Sequence, residues 1–373
     1  MSSEDAGASV GAGLPLQGLV PKLRLPEFRH AGGWQKRKLN ELLFEPKQRN
    51  RDLKYGTEHV LSVSGEYGCV NQIAFMGRSY AGASVKEYHV VESGDIVYTK
   101  SPLKASPFGI IKANKGASGI VSTLYAVYRP TELADAAYLD YFFSRNHNLN
   151  SYLQPIVRKG AKNDMKVNND AVLSGTIWIP GIREQQKIAE FLQSCDMLIA
   201  AEVEKLDALK DHKKGLMCQV FPVPGEINPR ARFPEFESTG DWETKTLGDV
   251  AFYSSDRVRV TNLGLDSYVS TENLLQEYAG VRPAATLPTV GYVSAFVAGD
   301  ILISNIRPYL EKIWLAPSSG GASNDVLVLR PRRGTNGGYL IYQLQNARFI
   351  AHVMKSAKGM KMPRGDTSAI LQY

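Results

Sequence analysis

The chain has 373 residues, 43% of them hydrophobic and 22% charged, and 44 Lys and Arg stand against 37 Asp and Glu. That length allows two domains with cores of their own, and the net charge of +7 permits a polyanionic partner. Cys69, Cys195 and Cys218 have no paired spacing, which argues against a disulfide framework and fits a reducing cytoplasm, and no run approaches the ~18 apolar residues of a membrane span.

Residues 1–20 lack both a basic start and a sustained apolar run, so they are expected to form a disordered leader rather than a signal peptide. A first domain is expected over 21–181. It opens with "PKLRLPEFRHAGGW", and the segments "EHVLSVS", "DIVYTK", "FGIIKA" and "STLYAVYR" are short, β-branched and broken by turn residues, the pattern of strands. A helix is expected over 133–145, followed by the basic loop "VRKGAKND".

Residues 182–221 differ in kind. Pro180 and Gly181 precede them, Pro222 follows, and no Pro interrupts them. Ile188, Leu192, Cys195, Ile199, Val203, Leu206, Leu209, Leu216 and Val220 recur at spacings of three or four, with one turn skipped at Lys213. This predicts an amphipathic helix with a single apolar seam, which at ~1.5 Å per residue makes a rod of about 54 Å. Such a rod pairs with another helix in the manner of a coiled coil. Glu184, Gln185 and Gln186 at its start are candidates for contact with a partner subunit or for N-terminal capping.

The second domain, expected over 222–373, repeats the first. Pro21, Arg24, Pro26, Glu27, Phe28, Gly32, Trp34 and Leu39 match Pro229, Arg232, Pro234, Glu235, Phe236, Gly240, Trp242 and Leu247, all at an offset of 208. "SGDIVYTKSPL" (93–103) faces "AGDILISNIRPYL" (298–310), "VYRP" (127–130) faces "VLRP" (328–331), and Lys159 and Gly160 face Lys358 and Gly359 at an offset of 199. The drifting offset places insertions in loops between fixed framework elements. A second helix is expected over 338–354. Each copy reads as α+β with a curved or barrel-like sheet, and Trp34 and Trp242 read as core anchors.

Motifs of chemistry are missing: there is no phosphate-binding G-x-x-x-x-G-K-[ST], no H-x-x-x-H, and no Gly cluster between a strand and a helix. Asp241, Glu243 and Lys245 imitate a nuclease core, but the first copy has Gly33, Gln35 and Arg37 at those positions.

The opening segment "PKLRLPEFRHAGGWQKRKLNELL", "GDILISNIRPYLEKI", "GMKMPRGDTSAI" and the run "IPGIREQQKIAEFLQSCDMLIAAEVEKLDALKDHKKGLMCQVFP" resemble the specificity (S) subunit of type I restriction–modification systems. The resemblance implies two target-recognition domains, each reading half of a split double-stranded DNA target, with the helix as a ruler; 54 Å covers about 16 base pairs. It also implies a non-catalytic, cytoplasmic chain without a cofactor of its own, on which methyltransferase subunits dock, bringing S-adenosylmethionine; a motor-nuclease subunit joins in some complexes. The alternative is a non-catalytic interaction scaffold that self-associates through its helix. Tyr373 aligns near position 174 of the first copy, so the second copy is expected to lack the strand and rod that close the first.

Side chains suited to phosphates and base edges follow from the loops of the two copies. They are Arg78, Tyr80, Lys100, Lys104, Arg158, Lys159, Lys162 and Asn163 in the first, and Asn305, Arg307, Lys358, Lys361 and Arg364 in the second. No metal site is expected.

Overall fold

The two copies fold as two units, Met1–Lys210 and Asp211–Tyr373, in a computed structural model that describes residues 18–102, 106–159, 165–223 and 225–373, with backbone alone at 158, 159, 165 and 166. Lys104, Lys162 and Asn163 lie outside the described residues.

The first unit runs β1 (Gln35–Lys38), α1 (Leu39–Leu42), β2 (Leu43–Phe44), β3 (Leu61–Ser64), β4 (Gly68–Asn71), α2 (Gln72–Met76), β5 (His89–Val91), β6 (Ile96–Thr99), β7 (Ile110–Ala113), β8 (Gly119–Val121) and β9 (Tyr125–Pro130). It continues through α3 (Ala136–Ser144), α4 (Asn146–Leu153), β10 (Arg158–Lys159), β11 (Met165–Lys166), α5 (Asn169–Ser174) and β12 (Thr176–Ile179) into α6 (Ile182–Val220). Four strands form an antiparallel sheet in the order β2-β9-β6-β7. Its central strand β6 is buried throughout, as the unbroken apolar run Ile96–Tyr98 requires. Tyr98, Tyr128, Leu139 and Phe143 fill the core between this sheet and α3. Before it, Leu19 pairs its backbone with Trp34, so the expected leader is placed at its last residues.

The second unit runs α7 (Leu247–Val250), β13 (Ala251–Tyr253), β14 (Arg257–Arg259), β15 (Tyr268–Val269), β16 (Tyr292–Phe296), β17 (Ile301–Ser304), β18 (Ile313–Leu315), β19 (Gly320–Ala322), β20 (Val326–Pro331), α8 (Gly337–Leu344), α9 (Ala347–Ser356) and α10 (Thr367–Ile370). Its main sheet, β13-β20-β17-β18, repeats the first unit's strand for strand, and a second sheet has the order β14-β16-β19-β15. The α+β class holds. The sheets are small and open: among the described residues none closes into a barrel, because strands of two to six residues give too little ladder to wrap. The helix expected over 338–354 is two helices, since the Asn346 side chain accepts from the amides of Arg348 and Phe349 and starts α9 afresh.

His89 tests the core of the first unit. It is buried on β5, and burial, with Arg49 and Lys100 adding repulsion, draws its imidazole from the ordinary 6.5 down to about 4. The folded state therefore holds neutral histidine where the unfolded chain binds a proton. That contribution is complete above pH 6.5 and is lost as pH falls toward 4, costing roughly 2–3 kcal/mol. Urea unfolding between pH 4 and 7 is expected to show this slope, and His89→Gln to flatten it.

Candidate nucleic-acid interface

Each unit holds its loops on the same ion pair. Gly94 and Gly299 sit at φ of 87° and 90°, a left-handed turn that glycine adopts without strain. The turn leads into Asp95 and Asp300, 1% exposed in both cases. Asp95 accepts from Arg129 Nε at 2.8 Å and Nη2 at 3.1 Å, and Asp300 accepts from Arg330 Nε at 2.9 Å and Nη2 at 2.8 Å. Each carboxylate also takes the backbone N–H three residues earlier, of Glu92 or Val297. The repeated words "GD" and "RP" are thus the two halves of a bidentate bridge between neighbouring strands of the main sheet, β6 with β9 and β17 with β20.

Around this frame the first unit gathers several of the expected DNA-binding side chains. Tyr80 and Lys100 line one cavity of about 140 Å³ with Gln72, Ser122 and Leu124. Arg78 lies over the Tyr80 ring at 4.6 Å, a planar cation on an aromatic face. Burial draws the Lys100 ammonium below the ordinary lysine value, with Glu45 opposing, which favours an anion close by. Gln72 was not legible as a site residue. It opens α2, donates to Ser62 Oγ at 3.0 Å and faces the cavity. Arg158 and Lys159 form β10, which pairs with β11 in register Arg158↔Lys166 and Lys159↔Met165. The described start of the basic segment is therefore a paired strand.

In the second unit the two predicted segments meet. Arg307 N–H donates to Pro363 O at 2.8 Å, Gly365 N–H to Asn305 O at 3.2 Å, and Ile306 bridges Arg364. Lys358 and Arg364 exchange backbone hydrogen bonds of 2.9 Å each way, closing a tight loop that exposes Lys358, Met360, Lys361 and Met362. Arg364 pairs with Asp325 at 2.7 Å, and Lys358 with Asp366 at 3.6 Å. Asn305 Oδ1 and Arg307 Nε point inward, buried and without a partner among the described residues. Lys312 adjoins them: burial, then Arg282 and Arg307, draw it below the ordinary lysine value.

Arg257, Arg259 and Tyr292 were also missed. Arg259 Nε donates to Tyr292 Oη at 2.7 Å and lies 5.5 Å over that ring, and Arg257 Nη2 donates to Tyr292 O at 3.2 Å. The alternation of "RVR" on β14 was the available signal, since residues two apart share a strand face.

The long helix is one element of 39 residues, about 58 Å at ~1.5 Å each. Its expected seam divides. Ile188 and Leu192 line a cavity of about 540 Å³ with Trp34 and Tyr138, and Cys195 is half-buried. Ile199, Val203, Leu206, Leu209, Leu216 and Val220 are exposed. At the helix start, Glu184 and Gln185 face inward. Glu184 accepts from Arg24 Nε at 2.7 Å and Nη2 at 2.6 Å, and from the Trp34 indole at 3.3 Å. Gln185 accepts from Asp135 N–H and donates to Leu133 O and Pro180 O. Both are therefore spent on their own unit rather than open to a partner subunit; Gln186 is exposed. Trp34 and Trp242, expected in the core, are half-buried, and each meets a tyrosine edge-on, Tyr138 at 6.4 Å and Tyr339 at 6.0 Å.

Glu243 and Lys245 pair with one another at 2.8 Å on the surface, and Asp241 accepts from Asn228. Among the described residues no group of three His, Cys, Asp or Glu side chains could hold a metal, and no helix is long and apolar enough to cross a membrane.

Residues 32–211 match the family described as type I restriction modification DNA specificity domain. No curated protein matches the chain. Among solved structures, the type I restriction–modification S subunit from M. genitalium is 13% identical, with 95% of this chain and 86% of that one covered and a TM-score of 0.51; it shares the fold. The HsdS subunit from Thermoanaerobacter tengcongensis is 18% identical over 94% of this chain and 88% of that one, with a TM-score of 0.40. A chain from a structure of type I R-M complex assembly and conformational transition is 19% identical over 94% and 86%, with a TM-score of 0.45.

Proposed function

We propose, from the match of residues 32–211 to the type I restriction modification DNA specificity domain, that this chain is a non-catalytic DNA-specificity subunit and that each of its units reads one half of a bipartite double-stranded target. The observation that carries the reading is the duplicated Asp–Arg bridge. Two equivalent frames each hold their own set of basic and aromatic loops. In this reading Arg78, Tyr80 and Lys100, with Gln72, contact one half-site from the first unit, together with Arg158 and Lys159 of β10. Lys358, Lys361 and Arg364, with Arg257 and Arg259, serve the second unit. Phosphate contacts set position, and the amide and guanidinium groups select bases.

α6 sets the separation of the half-sites. Its exposed seam, Ile199 through Val220, takes a second helix, from another copy or from a methyltransferase subunit that carries S-adenosylmethionine. The motor-nuclease subunit would join that assembly. Sequencing of methylated DNA in cells carrying the complex tests the whole reading. A gapped, two-part methylation motif that depends on this gene is expected, and an interaction scaffold would give none.

Lys358→Ala with Lys361→Ala is expected to weaken DNA binding across all sequences alike. It should reduce the slope of log K against log salt by about 2, as two lost phosphate contacts require. Fluorescence anisotropy at several salt concentrations reads the slope, and an unchanged slope removes both lysines from the interface. The Arg158→Ala, Lys159→Ala double variant is expected to flatten the slope in the same way.

A further inference from the structure

One loop of the second unit joins a rigid base to an apolar tip. Lys358 and Arg364 close it by exchanging backbone hydrogen bonds. It leaves α9, whose Val353 is buried, and returns into α10, whose Ile370 is buried. Arg307 N–H donates to Pro363 O, and Gly365 N–H to Asn305 O. Pro363 and Gly365 are buried. Gly365 has no room for a side chain, since a Cβ there would lie 2.9 Å from Asn305 Oδ1 and 2.9 Å from Val353 Cγ1. The base is thus packed on both sides. The tip is not: Met360 is 105% exposed and Met362 50%.

Single exposed apolar residues are ordinary on a protein surface. Met360 differs in its company. Lys355, Lys358, Lys361 and Arg364 all fall within residues 355–365, which hold no acid. The Lys358 and Arg364 side chains are 85% and 57% exposed. Charge of one sign around an apolar point suits a polyanion with an apolar interior, which is a DNA duplex: phosphates outside, stacked bases within. The unbranched thioether fills irregular gaps. The repeat supplies a control. At the offset of 199, Ala161 and Asn163 stand where the second copy has Met360 and Met362, while Lys159 and Lys162 keep cations at 358 and 361. The basic frame is repeated and the apolar tip is not, so the tip is no part of the framework.

We propose that Met360 is a wedge that enters the minor groove of bound duplex DNA and unstacks one base step at the second half-site, with Lys358 and Lys361 on the phosphates of the two strands. The proposal rests on the reading of this chain as a DNA-specificity subunit and adds a way of reading to it. An apolar wedge parts neighbouring base pairs and kinks the duplex toward the major groove. Unstacking is easiest at pyrimidine–purine steps, so the second unit selects sequence at a step where it hydrogen-bonds no base edge. The loop is braced before DNA arrives, which keeps the ordering cost of binding small. The first unit, with alanine at the matching position, leaves its half-site stacked.

The probes are duplexes of the gapped motif found by methylation sequencing, with 2-aminopurine placed at one position at a time through both half-sites and their flanks. The methylated bases are left unlabelled, because a methyltransferase flips those itself. The duplexes are titrated with the full chain in complex with its methyltransferase subunits. Fluorescence is expected to rise at one step of the second half-site and to stay flat through the first. Met360→Ala should abolish the rise and weaken binding about tenfold, since part of a methionine's burial is lost. It should leave the slope of log K against log salt unchanged, because a thioether releases no counterions; the Lys358, Lys361 double variant changes that slope. Met360→Leu keeps an apolar wedge and should restore most of the rise and of the affinity. Salt-dependent binding with no rise at any position, or with a rise that survives in Met360→Ala, would overturn the wedge and leave the DNA reading standing. Weaker capture of the methyltransferase subunits by Met360→Ala, at unchanged DNA affinity, would assign the tip to a protein contact and overturn it too. If no gapped motif depends on this gene, the DNA reading fails and the wedge with it.

Discussion

Asp300→Ala is expected to lower the stability of the second unit by about 3 kcal/mol, and Asp95→Ala to do the same to the first. Each carboxylate is at least 98% buried at the side chain, while its arginine keeps 24–30% exposure. The cost therefore falls at the low end of that for breaking a buried pair, because the abandoned guanidinium retains some water. A backbone N–H, of Val297 or Glu92, loses its acceptor as well. In the second unit Arg330 keeps Asp256 at 2.6 Å, which holds the arginine but not the buried strand end. Hydrogen exchange resolved by segment is the measurement. Amides of β17 should exchange ~100-fold faster in Asp300→Ala, a factor set by ~1.4 kcal/mol per decade, while those of β6 stay unchanged. Asn at either position keeps the shape and loses the charge, so its effect should be smaller.

The second large effect is expected at Glu184. Alanine there removes the acceptor shared by Arg24 and Trp34, both of which donate to it inside the first unit. Arg24 and Glu184 side chains are 6% and 5% exposed, and hydrogen bonding to Glu184 raises the Arg24 guanidinium above the usual arginine range. Losing one partner of so buried a pair should cost about 3–5 kcal/mol. The loss should be read locally, as faster exchange in the first turns of α6 and along β1–β12, with α6 beyond Ile199 unaffected. Gln at this position keeps a carbonyl acceptor for one donor and should recover part of the loss.

Much of the frame was legible because it is repeated. The fixed offset of 208 marked where each copy begins, and the short β-branched runs "DIVYTK", "FGIIKA" and "STLYAVYR" became β6, β7 and β9 of the first main sheet, while "EHVLSVS" became β3 of a separate two-stranded sheet. The long helix was legible from punctuation and periodicity, and it spans Ile182–Val220. What escaped was any relation between distant residues. Arg24 and Glu184 are 160 positions apart, and nothing local in "REQQ" separates an inward Gln185 from an outward Gln186. The bridge of Asp95 to Arg129 escaped for the same reason, although both words had been matched with the second copy. The candidate DNA contacts were half legible. Basic loops advertise themselves by composition, but the inward turn of Asn305 and the company of Gln72, Tyr80 and Lys100 depend on the path of the chain. The second unit's second sheet, with Arg257 and Arg259 on β14, is matched in the first copy by β5–β8 and by single bridges at Arg49 and Val60, a correspondence of pairing that the loop sequences do not repeat.

The duplicated bridge also marks where this gene can be cut. Asp95 and Asp300 open the central strand of each sheet, and Arg129 and Arg330 close the strand beside it. The intervening segments, 96–128 and 301–329, begin and end on paired strands of matching register. Exchanging those two cassettes, or importing one from a related gene, carries new loops into an old mount while both carboxylates and both guanidinium groups stay with the host. Splicing at these four codons replaces the segments that carry Lys100, Asn305 and Arg307 and leaves the bridge with the host, and the length of each insert is free to differ.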